Sequence, residues 1–288
     1  MKPVNRIVFP VDFSERCRGA AHFVAAMAGR FETSLTLLHV VEPAHYVYGS
    51  PEFGGSALDN FQIRRLADSR IDLDNFLEKE LRPFNPARVL VEGDAAHRIV
   101  EYAGENGADL IMMPTHGFGP FRRFLLGSVT AKILHDSHCP VWTGVHMEEA
   151  PPLEAIRCRA VVCAVDLGPH SDAPVLWAAK LAEEYLAPLT LVHATPVVEG
   201  RPAMYLDAEL REGLEFEARR LLTGIRDRLG VTADICVHGG EPADVVRSAA
   251  EKHGADIVVI GRGTAGIGRL RAHGYSIIRH SPCPVVSV

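Results

Sequence analysis

The sequence predicts an α/β protein made of two tandem domains, each a doubly wound, five-stranded parallel sheet with helices on both faces. Short apolar runs alternate with longer stretches of helical spacing, the order that a parallel sheet with crossover helices requires. The runs are apolar nearly throughout, as in Leu35-Thr36-Leu37-Leu38-His39-Val40-Val41, which is the composition of strands covered on both sides. The third observation is a repeat. Leu189-Thr190-Leu191-Val192-His193 restates Leu35 to His39, and Ala160 to Asp166 restates the run that ends at Asp12, both 154 residues further on.

Arg6-Ile7-Val8-Phe9-Pro10-Val11-Asp12 is a short apolar strand ending in a proline and an acid. Asp12-Phe13-Ser14-Glu15 then has the form of a helix N-cap with its reciprocal glutamate, and the helix runs to about Gly29. Leu35 to Val41 is the second strand, and Glu42 to Ser56, with Pro43, Gly49, Pro51, Gly54 and Gly55, reads as loop. Helical spacing resumes near Ala57 and continues to Leu81, with Phe61, Leu66, Leu73, Phe76 and Leu77 as the apolar stripe. Ala87 to Gly93 is a third strand. A helix from Asp94 or the next residue ends at Gly107, and Ala108-Asp109-Leu110-Ile111-Met112 is a buried fourth strand. A helix beginning at Gly127-Ser128 and a fifth strand, Cys139 to Val145, complete five strands and four helices in about 145 residues, with right-handed crossovers.

The pattern then restarts. Gly254-Ala255-Asp256-Ile257 matches Gly107-Ala108-Asp109-Leu110 at an offset of 147, and Cys283-Pro284-Val285 matches Cys139-Pro140-Val141 at 144. Domains over 1–146 and 159–288 follow, joined by a linker over 147–158 that carries Glu148, Glu149, Pro151 and Pro152.

Composition narrows the function. With 47% apolar and 23% charged residues the chain has the make-up of a soluble globular protein. A net charge of -6 and a pI near 6.2 leave no basic footprint for nucleic acid or an anionic membrane. No apolar run approaches the roughly 18 residues of a membrane span, and Met1-Lys2-Pro3-Val4-Asn5-Arg6 leads straight into a strand, so a cytoplasmic protein is expected. The six cysteines form no C-x-x-C pair and no metal-ligand spacing, and are read as small apolar residues in a reducing compartment.

The segment from Met113 to Thr130 carries the most chemistry. A buried strand runs into a loop of glycines with Arg122 and Arg123, then into the Gly127-Ser128 helix, which gathers backbone N–H groups and a helix N-terminus around one small space. That geometry suits phosphate. Gly117 is followed by nine residues and then Gly127-Ser128, while Pro114 stands three places before Gly117. This spacing resembles the nucleotide motif of the universal stress protein family: Gly, two residues, Gly, nine residues, Gly, then Ser or Thr. The internal duplication resembles tandem members of that family, and the likeness covers nearly the whole chain.

The resemblance implies a Rossmann-like, adenine-nucleotide-binding fold with ATP across the carboxyl ends of the strands, its Mg carried by the phosphates. Adenine and ribose would lie near Pro10, Val11, Asp12, Val40 and Met113, with Asp12 accepting hydrogen bonds from the nucleotide. The phosphates would meet the loop from His116 through Gly117 to Gly119, the start of the helix at Gly127, Ser128, Val129 and Thr130, and Arg122 or Arg123. Glycines let the backbone approach an anion and adopt positive φ, and Ser128 can donate its hydroxyl. Pro114 lacks the N–H of the usual glycine, so an affinity below the family norm is expected.

The second copy keeps less. Aligned on the helix from Ile277 to Pro284, the Gly127-Ser128 places are held by Arg271-Ala272, and about three residues of the loop are missing, so ATP is expected in the N-terminal copy alone. Asp166 reads as a helix cap. His39 and His193, at matching strand ends, read as packed and hydrogen-bonded within the fold, and no histidine set has metal spacing. The functional expectation is an ATP-binding stress or signalling protein. Its terminal strands would pair with each other as an intramolecular pseudo-dimer, with a further homodimer and a protein partner as open partners. An interaction module with decayed sites is the alternative, and a slow ATPase or nucleotidyl transferase a weaker one. No P-loop lysine, activated nucleophile or magnesium carboxylate pair points to an enzyme. The insert from Tyr46 to Leu58 reads either as a flap over the site or as a disordered loop.

Overall fold

The structure is a computed structural model that describes residues 4–43, 55–115, 126–144, 147, 150–196, 204–262 and 272–288, with backbone alone for 55–58, 204–208 and 272. The chain divides into two compact units, Met1–Val141 with His146–Ile156, and Trp142–Val145 with Arg157–Val288.

The first copy contains β1 (Arg6–Pro10), β2 (Ser34–Val41), β3 (Ala87–Glu92), β4 (Leu110–Pro114) and β5 (Val141–Gly144) in the sheet order β3-β2-β1-β4-β5. β1 pairs in parallel with β2, Pro10 opposite Leu38, and with β4, Ile7 opposite Leu110. Strand order therefore reverses between β1 and β4, where an open parallel sheet leaves a crevice at its carboxyl edge. Ile7, Phe9, Leu37, Leu38, Leu110, Ile111 and Met112 are fully buried, as apolar-throughout strands require. The helices are α1 (Glu15–Phe31), α2 (Gly55–Asn75), α3 (Glu78–Leu81), α4 (Ala95–Glu105) and α5 (Ser128–Asp136). α1 buries Ala20, Val24, Ala28 and Phe31, and covering a side chain such as Phe31 is worth about 1.5–3 kcal/mol.

Three local expectations are corrected. The cap of α1 is Ser14, whose side chain accepts from the Cys17 N–H, while Asp12 lies two residues earlier and does not cap the helix. The helix expected over 57–81 breaks after Asn75. Leu77 takes a left-handed conformation at φ 55°, and the break seats the Phe76 ring against Phe13, centroids 5.3 Å apart, and beneath Arg18 at 4.8 Å. Leu73, Phe76 and Leu77 are all buried there, a tertiary gain that the helical pattern alone does not register. The fourth strand starts at Leu110 rather than Ala108, because the Asp109 carboxylate accepts from the N–H groups of Asn5 and Arg6 and pins the start of β1.

The second copy repeats the plan with β6 (Val161–Ala164), β7 (Leu189–Thr195), β8 (Asp234–Gly239), β9 (Ile257–Ile260) and β10 (Val285–Ser287), ordered β10-β9-β6-β7-β8. Its helices are α6 (Asp172–Tyr185), α7 (Met204–Leu229), α8 (Pro242–His253) and α9 (Ala272–His280). Asp256 repeats the Asp109 clamp by accepting from the Arg159 N–H at 2.6 Å. The Tyr46–Leu58 insert lies for the most part outside the described residues.

Candidate functional site

A cavity of about 310 Å³ opens at the carboxyl ends of β1, β2 and β4. Ten of the thirteen residues expected at the site line it: Pro10, Val11, Asp12, Val40, Met113, Pro114, Gly127, Ser128, Val129 and Thr130. His116, Gly117 and Gly119, and with them Arg122 and Arg123, lie outside the described residues.

The floor of the cavity is set by the turn after β1. Asp12 Oδ1 accepts from the Ser14 N–H at 3.1 Å and from the Cys17 thiol at 3.1 Å. These bonds hold one carboxylate oxygen against the start of α1. Phe13 between them takes φ 64°, unusual for a residue with a side chain, and the second copy reproduces this with Leu167 at φ 57°. A backbone strained twice at the same place aims the two carboxylates, Asp12 and Asp166, in the same way. The Cys17 thiol is buried, and burial, followed by the Asp12 charge, pushes its pKa far above the usual thiol range, so it remains a neutral donor.

His39 lines the same cavity, and its Nδ1 donates to the Val11 carbonyl oxygen at 2.7 Å. That bond places the proton on Nδ1 and leaves Nε2 as an acceptor. Desolvation lowers the His39 pKa and outweighs the opposing effects of the Val11 carbonyl, Asp12 and Asp72. The Phe13 ring lies 4.3 Å from the imidazole, centroid to centroid. His193 in the second copy repeats the bond, Nδ1 to the Val165 carbonyl oxygen at 2.7 Å, so both histidines are packed and hydrogen-bonded within the fold as expected.

The opposite wall is the start of α5. Gly127 is its N-cap, at φ -62° and ψ 146°, with no side-chain bond capping the first turn. The first N–H groups of a helix have no partner within it, and the dipole adds partial positive charge, so the turn of Ser128, Val129 and Thr130 has a polarity compatible with an anion. Two details differ from expectation. Gly127 is not held by positive φ, and its N–H is already given to the Thr115 carbonyl oxygen at 2.9 Å. The Thr130 hydroxyl is likewise engaged, donating to the Pro114 carbonyl oxygen at 3.4 Å. Pro114 ends β4 and forms cavity wall, a place where its ring and fixed φ are compatible with the strand.

Arg16, Cys17, Leu38, Ala95 and Ile99 also line the cavity and are not foreseen from the motif. Arg16 lies in the first turn of α1, four residues after Asp12, a closeness in sequence that could have drawn attention to it.

The second copy has a cavity of about 300 Å³ at the carboxyl ends of β6, β7 and β9. Helix α9 matches α5 at both ends with an offset of 144 (128 to 272, 136 to 280), which supports the alignment on the helix and puts Arg271 and Ala272 in place of Gly127 and Ser128. Asp166 does not cap α6. Its Oδ1 accepts from the Gly168 N–H and from the Ser171 hydroxyl, both at 3.0 Å, and Ser171 is the N-cap residue.

An open parallel sheet whose strand order reverses at a cavity, faced by a helix start without a side-chain cap, defines a doubly wound, Rossmann-like α/β protein. The universal stress protein family model matches residues 3–143 and again 158–288. The chain is 31% identical over 137 residues to universal stress protein MJ0531 of Methanocaldococcus jannaschii, across 48% of this chain and 79% of that protein. To universal stress protein Slr1230 of Synechocystis it is 39% identical over 140 residues, across 49% of this chain and 42% of that protein. The solved structure of a universal stress protein from Archaeoglobus fulgidus superposes with a TM-score of 0.70 over 99% of this chain and 98% of that one, at 19% identity, a likeness of fold. The chain belongs to the universal stress protein family and carries the family's domain twice.

Proposed function

We propose that this tandem universal stress protein is an ATP-binding regulatory protein of the stress response, with nucleotide held in the first copy. The observation that supports this best is the single cavity that joins Asp12, at the end of β1, to the start of α5 at Gly127-Ser128. Adenine fits between Val11, Val40 and Met113, whose side chains are apolar. The ribose hydroxyls face Asp12, and the phosphates meet the N–H groups of Ser128, Val129 and Thr130, with Arg16 as an added cation. Mg arrives with the phosphates: among the described residues no group of three His, Cys, Asp or Glu could hold a metal. The two copies act as an intramolecular pseudo-dimer, and occupancy of the first changes the surface offered to a protein partner. No residue of the cavity is assigned a catalytic role. Among the described residues no helix is long and apolar enough to cross a membrane, and a cytoplasmic location is part of this proposal.

Nucleotide content of the purified protein and calorimetric titration with ATP test the reading. Wild type takes about one ATP per chain, and Gly127→Arg, which drives a long side chain into the anion seat, lowers the affinity at least tenfold, or about 1.4 kcal/mol. No binding at millimolar ATP would replace this reading with that of a protein-interaction module.

A further inference from the structure

Helix α7 runs unbroken for 26 residues, whereas its counterpart α2 in the first copy ends at Asn75. Its inner face is settled by the fold. Ala218 and Leu222 are buried, the Glu215 carboxylate accepts from the Gly239 N–H at 3.1 Å, and Arg219 donates through Nη1 to the Ile235 carbonyl oxygen at 3.2 Å.

The outer face carries a different pattern. Leu210, Gly213, Glu217, Arg220 and Gly224 recur at alternating spacings of three and four residues, which makes one stripe of a helix, and Phe216 and Leu221 flank it on either side. All seven are exposed. Glycine disfavours a helix interior, yet a Cβ at Gly213 or Gly224 would meet no atom of the described residues within 4 Å, so packing within the chain does not call for glycine at either place. Phe216, near the middle of the helix, is 71% exposed.

The stripe is complementary to itself. When two α7 helices lie antiparallel about the point between Ala218 and Arg219, Gly213 faces Gly224 of the second copy and Glu217 faces Arg220 of the second copy, and two-fold symmetry repeats both pairs. The glycines allow the axes to approach to the near end of the roughly 8–10 Å usual for packed helices. The Phe216 rings then lie along one edge of the seam and the Leu221 side chains along the other. Within one chain Arg220 donates through Nε to the Glu217 carboxylate at 2.9 Å, so the two pairs merge into an alternating network of charges. Slipping the helices by three residues sets Glu217 against itself in one direction and Arg220 against itself in the other, so the charges fix the register while the apolar flanks supply the contact.

We infer that the outer face of α7 is a docking surface for a second copy of this chain, the two helices packing antiparallel in a two-fold dimer.

Sedimentation equilibrium of the full chain tests it. One chain has a mass of 31.4 kDa, and wild type is expected to double its mass as concentration rises through the micromolar range. Glu217→Arg or Arg220→Glu alone halves the mass reached by wild type, because like charges then crowd the centre of the seam. An equimolar mixture of these two variants restores it, as does the double variant Glu217→Arg with Arg220→Glu. Phe216→Ser weakens association at least fivefold. The substituted side chains are exposed, so thermal unfolding followed by circular dichroism should be unchanged in each variant. A mass of one chain at every concentration, a larger mass that neither charge reversal lowers, or a mixture that stays at the lower mass overturns the inference.

Discussion

At the scale of the residue, His39 is a group whose chemistry depends on its surroundings. Packed under Phe13 and bonded through Nδ1 to Val11, it is held neutral by desolvation, with Asp12, Asp72 and Arg65 as the nearby charges. Its folded pKa lies below the ordinary value, so the unfolded chain binds the proton more readily. Its contribution to stability is complete above the unfolded pKa of about 6.5 and is lost as pH falls from there toward the folded pKa. Denaturant titrations at pH 7.5 and 5.5 should show a smaller loss of stability in His39→Asn, whose side-chain amide can still donate to Val11, than in wild type. An identical loss in both proteins would remove His39 from the account. The strained turn at Phe13 belongs to this scale as well. Nothing in Asp12-Phe13-Ser14 signals a positive φ, because the conformation is imposed by the bonds Asp12 makes and by the ring contacts of Phe13.

At the scale of the element, two junctions carry predictions. Arg88 on β3 donates through Nη1 to the carbonyl oxygens of Leu73 and Phe76, satisfying carbonyls that the end of α2 leaves open. Arg88→Ala should destabilise the protein by about 1.5–3 kcal/mol, the range for bonds from a charged donor, with Arg88→Lys intermediate in a urea titration. Gly19 on α1 faces the segment before the second copy: a Cβ there would lie 1.5 Å from the Met147 carbonyl oxygen, and His22 Nδ1 reaches the Pro151 carbonyl oxygen at 2.8 Å. Gly19→Ala should therefore displace this segment from α1 and speed protease cleavage within 147–158 severalfold. Unchanged cleavage would show that the segment adjusts without leaving. Most elements were legible from periodicity, because a buried parallel strand and an amphipathic helix impose their own patterns. The break at Asn75–Leu77 was not, since Phe61 to Leu77 keeps helical spacing through the residues where the chain turns.

At the scale of the whole molecule, duplication allows one copy to serve as reference for the other. Saturating ATP at about 100 times its Kd adds about 2.7 kcal/mol to the state that binds it. Hydrogen exchange of the β1 and β4 amides that require full opening should slow roughly 100-fold, while β6 and β9 stay as they were. Protection in both copies would mean that the shortened loop of the second still accommodates a triphosphate. The sequence by itself determined the fold class and the duplication, and its resemblance to the family's motif pointed to ten residues that line the first cavity, at the carboxyl edge where such a sheet opens. Only the tertiary structure decided that Ser14 rather than Asp12 caps α1, that the Gly127 N–H is given to Thr115, and that the second cavity stays open with Arg262 in its wall. These depend on which of several nearby partners a polar group meets once the chain is packed, and residue spacing carries no record of that choice.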